Sequence, residues 1–134
     1  MSAAGQPCAG GIVFDAHGRL LVIQRGHEPS AGLWSIPGGR CLPDEPTGLA
    51  CIREVREETG IAVSVVRLGG RVRLDAPGGG SYDVDDYVCS VLGGTLQAGD
   101  DATQARWVSR AELLALPTAP GLLDALREWG VLPD

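Results

Sequence analysis

Between Pro46 and Gly60 the apolar residues Leu49, Ile52 and Val55 recur every three positions, while on either side the apolar residues run in strand-like blocks. This change of period restricts the fold more than any other feature, because a helix must run between two sets of strands and lay its apolar side on them. Upstream, "CAGGIVFD", "AHG" and "RLLVIQR" predict two strands joined by a tight turn with Asp15 and Gly18 as turn residues. Downstream, "IAVSVVRLGG", "RVRLD" and "YDVDDYVCSVLGG" are strand-like, with "APGGGS" as a glycine turn and "ARWV" as a last short strand. Ser109 and Glu112 form a capping-box pattern, and "PGLLDALREWG" predicts a short amphipathic helix closed by Gly130. Asp44 or Glu45 is expected to cap the central helix, with Pro46 in its first turn and Gly60 at its end. The order strands, helix, strands, helix predicts an α+β fold with a mixed sheet, and 134 residues suit one domain spanning 1–134.

Charge narrows the partners. Eleven Lys plus Arg against 17 Asp plus Glu give a net charge of -6, which leaves no basic footprint for duplex nucleic acid. "MSAAGQPCAGG" has neither a basic n-region nor an apolar h-region, and no run approaches the roughly 20 apolar residues of a membrane span. The expectation is a cytoplasmic protein without a membrane partner; a homodimer is compatible with the sequence. Cys8, Cys41, Cys51 and Cys89 form no CxxC pair and are expected to be buried reduced thiols. His17 and His27 both lie in turn-like sequence, which disfavours a histidine triad or metal cage.

Two segments are chemically suggestive. "GHEPSAGLWSIPGGRCLPDEP" is long, rich in Gly and Pro and without periodicity, a length that compact domains usually keep only for loops with a function. It runs into the helix carrying "REVREETG", Arg53 to Gly60. At about 100° per residue, Glu54, Glu57 and Glu58 share one stripe with Thr47, Ala50 and Cys51, whereas Gly48, Ile52, Val55 and Thr59, with Leu49 beyond them, are expected to form a distinct core-facing side. Arg53 reaches Glu57 at i,i+4, but Glu54 and Glu58 remain a like-charge pair at the same spacing. A hard divalent cation with oxygen ligands would resolve that clash; an ordinary charged helix face is the alternative.

Spacing beyond the helix separates these readings. Gly39, Glu45, Arg53, Glu54, Val55, Glu57, Glu58, Gly60 and Ile61 are nine defined positions within 23 residues, preceded by "LWSIPGG". The pattern resembles the signature of the Nudix hydrolase family, MutT-like. Asp44 departs from the glycine that many members place before the first glutamate. The resemblance implies the Nudix fold, an αβα sandwich with a mixed β-sheet. It also implies cleavage of a pyrophosphate bond in a nucleoside diphosphate derivative, with Mg2+ or Mn2+ as cofactor.

By the same resemblance Glu54, Glu57 and Glu58 are metal ligands, joined by a carbonyl of Gly38 or Gly39 and by a later acid, Asp101 or its neighbour Asp100. Glu54, Glu57 and Arg53 are the catalytic candidates: Glu54 would take the proton of the attacking water, and Arg53 would orient the carboxylates. Glu45 would brace the loop. Arg25, Arg40, Trp34 and Asp86 are candidates for substrate binding, with His27, Arg71 and Arg73 behind them. Trp34 would either stack on a base or pack beneath the loop, and Asp86 would either meet the nucleoside or face solvent. Pro77, sixteen residues after Ile61, resembles the ADP-ribose pyrophosphatase group and favours ADP-ribose or a similar sugar nucleotide. Nucleoside triphosphates are the alternative substrates, and a catalytically silent ligand sensor is the alternative of another class.

Overall fold

The first two strands are apolar at most positions because both of their faces are covered. In β1 (Gln6–Phe14) Ile12 and Val13 are both buried, and in β2 (Leu20–Arg25) so are Leu20, Leu21 and Val22. Successive strand side chains point to opposite faces. Ala9, Val13 and Leu21 therefore enter one core, whereas Ile12, Leu20 and Val22 enter a second. The turn between the strands is held by the Asp15 carboxylate, which accepts the backbone N–H groups of His17 and Arg19 at 2.9 Å.

The computed structural model describes residues 5–99 and 102–134. Next in the chain come the short strands β3 (Trp34–Ser35) and β4 (Gly38–Arg40), the helix α1 (Thr47–Thr59), and the long strands β5 (Ile61–Asp75) and β6 (Ser81–Gly94). β7 (Ala102–Val108), α2 (Arg110–Ala115) and α3 (Leu122–Glu128) complete the described elements. Among the described residues the sheet runs β3-β2-β1-β6-β5, with β4 added to β1 and β7 to β2. β1 and β6 are parallel and the remaining pairs antiparallel, so the sheet is mixed. α1 covers the first core; Leu113 of α2 and Leu126 of α3 fill the second. The result is the expected αβα sandwich.

Three local expectations are corrected. The segment after Ile61 is one continuous strand of 15 residues, bent by irregularities near Val63, Arg67 and Gly70 that absorb its glycines without ending it. The cap of α1 is Pro46, which offers no side-chain acceptor; Glu45 instead accepts the Leu42 N–H and pairs with Arg53. Gly60 ends the helix in the left-handed conformation, φ 75°, as its sequence position suggests. The buried face of α1 is Ala50, Cys51, Val55, Glu58 and Thr59, while Leu49 is 58% exposed.

The physical reason for that rotated face lies in β1. A Cβ on Gly11 would stand 2.6 Å from Val55 Cγ2 and 3.4 Å from Cys51 Sγ, so the glycine lets the small-residue side of the helix settle close to the strand. Cys51 and Cys89 meet there as free thiols at 3.6 Å, and all four cysteines are free and buried, as expected. No helix of the described residues is long and apolar enough to cross a membrane.

Gly11→Ala should therefore cost about 1–3 kcal/mol of stability through overpacking. In chemical denaturation the double variant Gly11→Ala/Val55→Ala should be more stable than the sum of the single losses implies, since the second change removes the group the first one strikes.

Candidate active site

Arg53 gathers the loop and the helix. Its Nε and Nη2 donate to the two oxygens of Glu45 at 2.9 and 2.8 Å, a two-pronged pair across eight residues of sequence. Nη1 donates to Glu54 at 2.9 Å and to Glu57 at 3.1 Å, and Nη2 reaches the Arg40 carbonyl at 3.1 Å. Hydrogen bonds from Arg53, helped by the Leu42 N–H, hold the Glu45 carboxyl down at about 2. Glu45 in turn, with Glu54 and Glu57, raises the guanidinium further above its ordinary range. Arg53 thus ties Glu45 of the loop to Glu54 and Glu57 of the helix.

Glu58 is only 5% exposed, and its Oε1 accepts the Gly38 N–H at 3.0 Å. Glu54 presses its carboxylate against Gly39 so closely that a Cβ there would stand 2.7 Å from it. Two carboxylates from successive turns of α1 therefore converge on the Gly38–Gly39 backbone, in a cradle that any side chain at 39 would fill. Both line a cleft of about 1290 Å3; Glu57, tied to Arg53, stands outside its wall. The donors are hard oxygens from carboxylates beside an accessible backbone, and they fit Mg2+ or Mn2+. Among the described residues no three acidic, cysteine or histidine side chains already stand at ligating distances. Asp101 and Asp100, expected to supply a further ligand, lie outside the described residues.

The other candidates separate clearly. Arg25, His27, Arg40 and Arg73 line the cleft; Arg71 is instead extended to Asp85 at 3.1 Å on the exposed strand surface. Arg40 donates to the Tyr82 hydroxyl at 3.0 Å with its guanidinium over the Tyr82 ring, and Arg73 pairs with Asp83 at 2.8 Å. Of the two readings open for Trp34, the structure favours packing over substrate binding: the ring is only 4% exposed within the second core and does not face the cleft. Cys8 also lines the cleft, but burial, with Cys41 nearby, pushes its thiol up to about 11, which leaves it protonated and poorly nucleophilic.

Asp86 is the candidate for which the sequence leaves meeting the nucleoside and facing solvent both open. It is 8% exposed, not a solvated strand acid, and it lines the same cleft. Its neighbour Asp85 points to the other face, where Thr47 donates to it at 2.9 Å. Burial first, then repulsion from Asp85, pushes the Asp86 carboxyl up to about 7. Trp129, Tyr82 and Ile36 belong to the cleft wall as well and were not foreseen. No spacing pattern links α3, β6 and the loop before β4; only the sheet brings them together.

Residues 5–129 match the family model described as NUDIX domain. The chain belongs to the Nudix family. It is similar to the CTP pyrophosphohydrolase of Escherichia coli K12, 31% identical over 90% of this chain and 88% of that one. It is also similar to the ADP-ribose pyrophosphatase of Methanocaldococcus jannaschii, 32% identical over 71% of this chain and 57% of the relative. Among solved structures, a MutT Nudix hydrolase from Burkholderia pseudomallei superposes with a TM-score of 0.81 at 27% identity, over 93% and 98% of the two chains. This Nudix chain is accordingly a MutT-like hydrolase acting on phosphorus-containing anhydrides, a class whose substrates derive from nucleotides and whose members generally use divalent metal ions.

The raised Asp86 carboxyl makes a signed prediction for this Nudix domain. A carboxyl raised from 3.8 to about 7 favours the folded state fully at pH values below its unfolded pKa, and that contribution is lost as pH rises through the folded one. Asp86→Asn should therefore gain stability over the native chain between about pH 4 and 7, reaching a few kcal/mol above that window. Paired thermal melts across this range measure it; parallel curves would refute it.

Proposed function

We propose that this chain is a divalent-cation-dependent pyrophosphohydrolase of nucleoside triphosphates, with magnesium or manganese as its ion. The observation that carries the proposal is the convergence of Glu54 and Glu58 on the Gly38–Gly39 backbone, at one end of a cleft that also holds Arg25, Arg40 and Arg73. An acidic site holds an anionic phosphate chain only with bridging cations; when bound, the ion neutralises phosphate oxygens and acidifies a water.

The chain's own groups supply the rest. Glu54, Glu57 and Glu58 are the carboxylate donors, with the backbone of Gly38 and Gly39 beside them. Glu54, which faces the cleft, takes the proton of the attacking water as a new phosphorus–oxygen bond forms and the bridging bond breaks toward the leaving phosphate. Arg53 limits the swing of Glu54 and Glu57, and Arg25 and Arg40 contact the phosphate chain. Such a site acts by positioning and charge neutralisation and requires no covalent intermediate.

The triphosphate reading is favoured by the relative named CTP pyrophosphohydrolase, which matches this chain almost end to end. A second reading is ADP-ribose, favoured by Pro77 on the cleft wall and by the archaeal relative, of which this chain covers 57%. A panel of nucleotides separates them by product: nucleoside monophosphate plus pyrophosphate in the first case, AMP plus ribose 5-phosphate in the second.

Turnover should require added Mg2+ or Mn2+, and Glu54→Gln should lower kcat by at least about 100-fold without loss of fold. Metal-dependent binding without any turnover would instead make the chain a ligand sensor. Arg53→Lys, which keeps the charge but loses the fork, should lower kcat by about 10–100-fold. Steady-state assays at saturating metal check both.

A further inference from the structure

Across the sheet, Asp86 of β6 sits in register with Gly10 of β1 on one side and Gly70 of β5 on the other. Residues paired this way share a face, so three adjacent strands present a carboxyl flanked by two positions without side chains. The carboxyl leans over Gly10 and occupies the space a Cβ there would need; the ring of Trp129 does the same over Gly70. Ile36 closes the side toward β4, with its Cδ1 3.3 Å from the Cβ position of Gly10. The result is a slot with apolar walls and one acid in its floor, opening into the cleft that reaches Glu54 and Glu58.

No described residue hydrogen-bonds to the Asp86 carboxyl. Its residue is more than nine-tenths buried, yet no side-chain oxygen or nitrogen among the described residues is both sealed from solvent and unpartnered, so the carboxyl reaches the open cleft. A buried acid without a partner is destabilising. The fold gains nothing visible from it: Asp85, not Asp86, ties β6 to α1. The group is therefore open to a donor that enters the slot.

We infer that this end of the cleft is a nucleobase subsite, and that the Asp86 carboxyl accepts a hydrogen bond from an exocyclic amino group of the base. The inference rests on the nucleotide-hydrolase reading above and deepens it. A planar heteroaromatic ring suits the slot between Ile36 and Trp129, and its edge meets the acid in the floor. An amino group donates to a carboxyl oxygen. Once ionised, the acid has no proton to offer a carbonyl at the same ring position and is left unpaired, so above the pH range in which it protonates cytosine and adenine are accepted over uracil and hypoxanthine.

The test compares cytidine with uridine and adenosine with inosine nucleotides, in whichever phosphate form is turned over, for the native chain, Asp86→Asn and Asp86→Leu. Assayed well above neutral pH, where the acid is ionised, the native chain should favour the amino-bearing member of each pair by about 10–100-fold in kcat/KM. Asp86→Asn, whose amide can turn its NH2 toward a carbonyl, should bring the ratio close to unity, and Asp86→Leu should abolish the preference mainly through KM. Calorimetric binding of α,β-methylene analogues reads the same ratio without turnover, and thermal melts establish that the variants fold. Equal use of both members by the native chain, or an unchanged ratio in Asp86→Asn, overturns the inference while metal-dependent turnover leaves the hydrolase reading standing. A change confined to the ribose-to-deoxyribose ratio assigns the acid to the sugar and also overturns it. Absence of both turnover and nucleotide binding overturns the two readings together.

Discussion

Two adjacent glycines on the central strand set the terms for both faces of the sheet. Gly11 admits Val55 and Cys51 of α1 on one side; Gly10, facing the other way, admits the Asp86 carboxyl. Neither neighbour has room beside a Cβ. The close approach of α1 brings Glu54 and Glu58 down onto Gly38 and Gly39, themselves strand-paired to β1 through Ala9 and Gly10. The acid end of the cleft and its opposite slot are thus positioned by the same short stretch of backbone.

Electrostatics then fixes the loop upon that frame. One guanidinium serves Glu45, Glu54 and Glu57, and it also holds the Arg40 carbonyl, so the segment between β4 and α1 is closed by a single side chain. One positive charge facing three carboxylates leaves the cluster net negative, and Glu58 adds a fourth acid nearby. Such an arrangement is poor as a salt-bridge network for stability alone. It is well suited to orient carboxylates toward a cation and to release them to it, since each charge-assisted bond to Arg53 constrains direction as well as charge.

Much of this was legible in the sequence, and the parts that were share a cause. The hairpin at Asp15–Gly18, the Ser109–Glu112 capping box and the left-handed Gly60 are local, so a few neighbouring residues determine them. The carboxylate spacing from Gly39 to Glu58 was legible because helix geometry turns spacing into direction. The buried face of α1 was legible in part: Val55 and Thr59 are buried as expected, but Ala50, Cys51 and Glu58 of the acid stripe are buried as well, because Gly11 of β1 lets that side of the helix approach. For Trp34 stacking and packing stayed open in the sequence, because an aromatic ring in a loop says nothing about which way the loop turns it; the fold packs it.

The sequence by itself determined the alternation of strands and helices, the family signature and the cluster of acids on α1, because each depends on periodicity or spacing along the chain. Only the tertiary structure decided what faces those acids across the cleft. Asp86 and Tyr82 of β6, Ile36 and Trp129 come from three separate parts of the chain, and strand register and a tryptophan packed on a glycine bring them to one cleft. Burial, the property that makes Asp86 distinctive, is created by neighbours distant in sequence, so no local pattern can announce it.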